Sequence, residues 1–290
     1  MGTTMTPDEA PRQREFEFTQ ADFESLRVLV RKVSGITLSE AKRELVYGRL
    51  SRRLRHLGFT SFAEYRQLLA GLEGESEIVE FTNAVTTNLT AFFCEPHHFD
   101  YLRDKLLLER ARDARGSRRI RIWCAGCSTG EEPWSVAMTV AEALPEMQRW
   151  DIRILATDLD TQVLQTGTAG EYSADRVRTL SAGRLQRFFD PCGTGSSPRY
   201  RVKPELMSMV SFRQLNLMNP LPLRGPLDAI FCRNVIIYFD KDTQRSLFAR
   251  VAPLQRPGDL LFLGHSESLL QVSEAWDAVG RTVHVRGRAC

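Results

Sequence analysis

A chain of 290 residues with 42% hydrophobic and 26% charged side chains has material for two cores, or for one large α/β core with an appendage. No apolar run approaches the roughly 18 residues a membrane-crossing helix needs, which excludes insertion in a membrane by that route, and a net charge of +3 is too small to imply a nucleic-acid partner. The six cysteines (94, 124, 127, 192, 232 and 290) follow a start, MGTTMTPDEAPRQREFEFTQ, that lacks the apolar core of a secretion signal, so reduced thiols and a cytoplasmic location are expected.

Residues 1–18 read as a disordered tail, because acids, bases and prolines alternate there without periodicity. Phe23, Leu26, Val30 and Val33 then recur at helical spacing over residues 21–34. Between residues 41 and 60, Val46, Leu50, Leu54 and Leu57 form the stripe of a second helix stopped by Gly58. That helix is strongly basic, with Lys42, Arg43, Arg49, Arg52, Arg53 and Arg55 against the single acid Glu44. Its bland reading is a solvated face, and its functional reading is docking to an acidic partner. Ser61 and Glu64 form a capping box for a helix to about Ala70, and a further helix runs from about Ser76 to Val85. The predicted helical domain therefore covers residues 19–87. TTNLTAFFCE follows, with residues 88–95 as the linker between the domains, before Pro96 opens another helix to about Ala111.

From residue 119 the texture changes. RIRIWCAG, SVAMTVAEAL and DIRILATDLD make a βαβ unit, and the rhythm returns in PLDAIFCRNVIIYF, DKDTQRSLFARVAPL, DLLFLGHSE and RTVHVRG. The fold class is α/β: a doubly wound, mostly parallel sheet over residues 96–290, preceded by a small all-helical domain. Residues 171–212 read as an antiparallel β insertion, with GTGSSP as a hairpin turn flanked by RYRVKP and MVSFRQL.

In such a sheet, ligands sit at the carboxyl ends of the strands. Three loops fall there. CAGCSTGEEP has Gly126 and Gly130 for close backbone approach, yet no GxGxxG and no lysine after the last glycine. Glu131 and Glu132 would repel a pyrophosphate, so a cationic or nucleoside ligand is favoured. Asp158 closes the next strand, where an acid can accept both hydroxyls of a ribose. Arg233, Asn234 and Tyr238 follow the third. Taken singly, each has an ordinary structural reading as a cap, a turn or a core residue. No metal is expected, because Cys124 and Cys127 lack a second pair and the adjacent His97 and His98 cannot both face one ion from a helix.

TNLTAFF, CSTGEEPWSVAM, ATDLD, NLM, FCRNVIIYFD and GHSE, in this order and spacing, resemble the bacterial chemotaxis-receptor glutamate methyltransferases, the CheR family. The resemblance runs from about Phe23 to Val285. It implies a helical domain joined by a linker to a seven-stranded, Rossmann-like class I methyltransferase domain that binds S-adenosylmethionine and releases S-adenosylhomocysteine. It places Asn88 and Thr90 over the cofactor, Glu132 and Asp158 on its amino-group and ribose sides, and Asn216, Leu217, Arg233 and Asn234 around the adenine. Tyr238 is similar to the tyrosine that the family keeps near the transferred methyl. The implied partners are the cytoplasmic domains of chemoreceptors, whose glutamates become 5-O-methyl esters in chemotactic adaptation. Arg49, Arg52, Arg53 and Arg55 match the family's receptor-facing basic helix, and in some members the insertion captures a receptor's C-terminal peptide as an added strand.

One position departs from the family pattern. Where the family reads FFRE, this chain reads Phe92, Phe93, Cys94, Glu95, so a cofactor-site and catalytic arginine is replaced by Cys94 and slower turnover with retained binding is expected. Two other readings compete. One is a non-catalytic module that binds the cofactor and docks on receptors. The other is a thiol oxidoreductase using Cys124 and Cys127, although Ser128 to Pro133 delay the helix that such a motif requires directly after its first thiol.

Overall fold

The computed structural model describes residues 14–86, 88–113, 116–144, 146–193 and 198–288. They form two compact units, one built from the chain up to Leu29 with Leu38–Val85, the other from Val30–Thr37 with the chain from Thr86 onward. The first unit contains most of α1 (Gln20–Ser34) and all of α2 (Arg43–Leu57), α3 (Phe62–Ala70) and α4 (Glu75–Val85). Gly58 ends α2 in the left-handed conformation, and Ser61 caps α3 by accepting from the Glu64 amide. The reciprocal arm of the capping box lands one residue early, with Glu64 accepting from the Thr60 N–H at 2.8 Å.

Two expectations about this region are corrected. The tail does not extend to residue 18: Phe16 and Phe18 are buried, and the Phe18 ring lies 4.4 Å from that of Phe62. Burying such rings is worth about 1.5–3 kcal/mol each, enough to order a segment whose polar composition concealed two aromatic anchors. Residues 1–13 lie outside the described residues. Nor is the helical domain continuous over 19–87. Residues 30–37 pack with the second unit because the Asn216 amide donates to the Val33 carbonyl (2.6 Å) and the Thr37 N–H donates to the Tyr238 carbonyl (2.8 Å).

The second unit opens with α5 (Pro96–Leu102), which continues through a π-helical turn (Arg103–Leu107) into α6 (Leu108–Arg112). Then come β1 (Arg119–Ala125), α7 (Glu131–Ala143), β2 (Asp151–Asp158), α8 (Thr161–Ala169), β3 (Glu171–Ser173), α9 (Ala174–Val177), α10 (Ala182–Phe188), β4 (Phe189–Cys192), β5 (Arg199–Val202), α11 (Pro204–Met207) and β6 (Val210–Gln214). β7 (Ala229–Cys232), α12 (Lys241–Val251), β8 (Leu260–Leu263), β9 (Trp276–Gly280) and β10 (Val283–Arg286) complete it. The seven-stranded sheet has the order β6-β2-β1-β7-β8-β10-β9, parallel from β6 to β8 and antiparallel at β10 and β9.

Both faces of this sheet are covered, which explains its near-continuous apolar strands. In β1 the pleat sends Ile120, Ile122 and Cys124 to a core shared with Val136 and Val140 of α7, and Trp123 and Ala125 to a core shared with Leu247 and Phe248 of α12. The expected extent of the insertion is also corrected. β3, β4 and β5 form a separate antiparallel sheet, but β6, expected as an arm of the hairpin, pairs in parallel with β2 at the edge of the main sheet. Phe212 explains its place: the ring lies 5.4 Å from that of Trp134 on α7. The true partner of β5 in the hairpin is β4, with Phe189 opposite Val202. The expected turn at residues 194–197 lies outside the described residues.

Candidate active site

The chain leaves β1 for β2 on one side and later returns as β7 on the other, so the carboxyl ends of these strands form the switch-point crevice of the sheet. The turn after β1 is anchored by the Gly126 and Cys127 amides, which donate to the Thr157 carbonyl at 2.8 and 2.9 Å. Gly126 has φ +79°, and a Cβ there would stand 2.3 Å from Cγ2 of Val235 in the loop after β7. No other residue fits that contact.

Asp158 ends β2. Its Oδ2 accepts from the Ser128 N–H (2.8 Å) and its Oδ1 from the Asp160 N–H (3.0 Å), so each oxygen keeps acceptor capacity toward the crevice. Burial pushes its pKa up, and these main-chain donors only partly oppose the shift. Glu132 and Arg233 form a buried pair (2.9 Å) whose arginine also holds Glu95 (3.0 Å) and donates to the Cys94 carbonyl (2.6 Å). Burial raises the Glu132 pKa against the pull of that guanidinium, and Oε1 of Glu132 has no hydrogen-bond partner among the described residues.

The linker lies along this crevice. The Ser128 hydroxyl donates to the Asn88 carbonyl (3.1 Å), and the Phe93 N–H donates to the Ser135 hydroxyl of α7 (2.9 Å). The Asn88 amide and the Thr86 hydroxyl both donate to Oδ2 of Asp160 (2.8 and 3.0 Å), while Oδ1 caps α8. Thr90 is half-exposed and Cys94 is exposed. Asn216 is occupied otherwise: its amide holds Val33 and its Oδ1 accepts from the Met218 N–H (2.9 Å). Leu217 is buried, with its carbonyl accepting from Arg250 (2.7 Å). Asn234 adopts a left-handed conformation after β7, and Tyr238 ends a short 3-10 turn, Ile236–Tyr238, in the same loop.

Among the expected site residues, hydrogen bonds, ion pairs or adjacency in the chain link Asn88, Cys94, Glu132, Asp158, Arg233, Asn234 and Tyr238 to these loops. Asn216 follows β6, and its side chain is turned to the segment at residue 33. The basic helix resolves into unlike residues. Arg53 binds Glu77 with two hydrogen bonds (2.8 Å for Nε), and the Tyr65 hydroxyl donates to the same carboxylate (2.8 Å). Arg49 donates to the Ala84 carbonyl (3.3 Å), Arg55 pairs with Glu15 (3.1 Å), and Arg52 is exposed.

Four residues in this network, Glu95, Asp160, Arg176 and Glu267, were not singled out by sequence reasoning. Glu95 joins Arg233 to His265, and Arg176 pairs with the fully buried Glu131 at the start of α7. Glu95, Asp160 and Glu267 carried a signal, as the last letters of FFCE, ATDLD and GHSE, whereas Arg176 carried none. Cys124 and Cys127 are buried and burial pushes both thiols far up in pKa, the reverse of an activated redox pair.

A helical unit before a doubly wound sheet with acids and glycine turns at its switch point defines a class I methyltransferase with an N-terminal helical appendage. Residues 21–86 match the family described as CheR methyltransferase, all-alpha domain, and residues 88–285 match CheR methyltransferase, SAM binding domain. The chain belongs to the CheR methyltransferase family. It is 46% identical over 283 residues to chemotaxis protein methyltransferase 2 of Pseudomonas aeruginosa, covering 97% of this chain and 98% of that one. It is 43% identical over 269 residues to a chemotaxis protein methyltransferase of Escherichia coli, covering 92% and 91%. Its cofactor is S-adenosylmethionine, and the acids fit that cation: among the described residues Asp158 forms no ion pair, and Oε1 of Glu132 accepts no hydrogen bond. No helix of the described residues is long and apolar enough to cross a membrane.

Proposed function

We propose that this protein works in the cytoplasm and methylates glutamate side chains on the cytoplasmic helices of chemoreceptors, giving 5-O-methyl esters. The observation that carries the reading is the pairing pattern in the crevice: Arg233 forms ion pairs with Glu132 and Glu95, whereas Asp158 pairs with no cation among the described residues and is the acid to meet a cationic nucleoside. The relatives named above supply the chemotaxis context. Asn88, Thr90, Asn234 and Leu217 complete the proposed cofactor surroundings, and Tyr238 stands beside the transferred methyl.

The bound cofactor supplies an electrophilic sulfonium methyl. A glutamate acceptor with an ordinary pKa near ~4.3 is already ionised at neutral pH, so the protein needs no general base and contributes alignment and exclusion of water. Arg52 supplies basic docking charge on α2. The edges of the small sheet offer β3 and β4 for pairing with a receptor tail, with Pro191 of β4 lacking an N–H to give.

The test is transfer of radiolabelled methyl to receptor cytoplasmic fragments. Label that is released as methanol in base, and absent when the acceptor glutamates are glutamine, is expected. Base-stable label, or none, removes the reading. The exposed Cys94 favours a second reading, a docking module that binds cofactor without turnover. Calorimetric binding of S-adenosylmethionine and S-adenosylhomocysteine without any transfer would establish it.

A further inference from the structure

The geometry points to Glu267 as the positioning residue for the loop after β7, a built-in anion that fills a nest of main-chain donors. Asn234 is left-handed (φ 57°) and Val235 right-handed (φ −113°, ψ −51°), an alternation that turns successive N–H groups toward one point. Into that point Glu267, only 7% exposed, sends its carboxylate. Oε1 accepts from the N–H groups of Val235 (2.8 Å), Ile236 (2.9 Å) and Ile237 (3.3 Å), and Oε2 from those of Asn234 (2.9 Å) and Gly264 (2.6 Å).

Five main-chain donors on one carboxylate exceed what a cap or a turn uses, and four of them span the whole segment between Arg233 and Tyr238. Because the Val235 side chain occupies the space where Gly126 would carry a Cβ, a shift of this segment also disturbs the turn after β1. Glu267 reaches the crevice only through main-chain amides of the loop, so it positions without touching the reacting groups. Its role rests on the reading above, in which this loop carries Tyr238 beside the transferred methyl.

The experiment compares the full-length protein with Glu267→Ala and Glu267→Gln, adding formate to each. Misplacing a reacting group by an ångström can cost about a hundredfold, so Glu267→Ala should lose at least about tenfold in kcat. Formate should restore that variant by filling the vacated nest. Glu267→Gln should be impaired and not rescued, since its amide NH2 occupies the nest and faces donors. A folded Glu267→Ala with kcat within about twofold of wild type, or one that formate does not improve, overturns the proposal. If the alanine variant does not fold, a folded and fully active Glu267→Gln overturns it. Amide exchange in the wild type provides a further measurement: the amides of residues 234–236 and 264 should be protected as one group, and separate rapid exchange of any of them overturns it. An inactive wild type would instead remove the methyl-transfer reading and leave the exchange result to decide about Glu267.

Discussion

Cys94 sits in a backbone frame built by its neighbours. Arg233 grips its carbonyl and the carboxylate of Glu95, while Phe93 and Glu95 on either side both have positive φ, a costly conformation held by these bonds. The frame thus presents position 94 to solvent whatever its side chain is. A cysteine there lacks the charge and reach of the family's arginine, whose charge-assisted hydrogen bond is worth roughly 1.5–3 kcal/mol. Cys94→Arg should therefore raise the methylation rate at saturating cofactor by at least about tenfold, or tighten cofactor binding by a similar factor. If steady-state kinetics and calorimetry both find no gain, neighbouring residues have assumed the role. Asp158 offers a second test at this scale. Its raised pKa means that the proton stays on to higher pH than the ordinary 3.8, and a cation prefers the ionised form. Affinity for S-adenosylmethionine should climb as pH rises above that value and level off once ionisation is complete, and Asp158→Asn should bind more weakly with a flat profile. Identical profiles for the two proteins would exclude Asp158 from the cofactor site. The letters of these residues were visible in the sequence as motifs. Their division of labour was not, because it depends on Arg233 having five donors and choosing Glu132, Glu95 and a carbonyl as partners.

The elements were most legible where periodicity and chemistry agreed. β7 and β8 are buried on both faces and stand out as apolar runs, β1 and β2 pass from alternation to burial toward their carboxyl ends, and the stop of α2 at Gly58 follows from one left-handed residue. β6 and β9 were less legible. β6 was read into the wrong sheet, because Val210–Gln214 buries only Phe212 and nothing local specifies its partner. β9 has a single buried residue, Trp276, and gives no alternation to read. On α2 the charge run concealed two kinds of arginine. Arg53 is partly buried against Glu77, a carboxylate that Tyr65 also holds, so removing its charge leaves a buried acid uncompensated. Breaking such a pair costs up to about 3–5 kcal/mol. Arg52 is exposed and its loss should cost less than about 0.5 kcal/mol. Arg53→Glu is expected to lower the unfolding midpoint, and Arg52→Glu to leave it unchanged while slowing receptor methylation at constant cofactor affinity. Denaturation and methylation assays on the two single variants separate the effects. A slow but stable Arg53→Glu, with a fully active Arg52→Glu, would reverse the assignment.

At the scale of the whole molecule, the network that holds the linker also sets a limit on acid stability. Glu95, Arg233 and His98 meet behind the crevice, and His98 is wholly buried, with Nε2 against the Thr282 hydroxyl at 2.8 Å. Its Nδ1 lies 3.4 Å from Oε2 of Glu95, which by itself would favour an imidazolium. That oxygen is already shared with Arg233, and burial, then the guanidinium, then His97 and His284 push the His98 pKa down to about 3. A histidine freed by unfolding returns to an ordinary value near 6.5. Between those values the unfolded chain binds a proton that the folded chain refuses, so stability is complete above pH 6.5 and falls as the pH drops toward 3. One proton of difference corresponds to about 1.4 kcal/mol per pH unit, and His284, whose pKa burial also lowers, adds to the same trend. Glu132, Asp158 and Glu267 act with the opposite sign: their raised pKa values let the folded state hold protons longer, which stabilises it as the pH falls through the carboxylate range. Comparing the protein with a variant at His98, over about pH 5.5 to 6.5 just below the ordinary histidine value, leaves the carboxylates common to both and isolates the contribution of His98. His98→Gln, which keeps a polar group for Thr282 but cannot titrate, should therefore flatten the dependence of unfolding free energy on pH in that interval by up to about 1.4 kcal/mol per unit. Urea titrations at half-unit steps measure the slope directly. Equal slopes for the two proteins would mean that the acid-labile proton is taken up elsewhere.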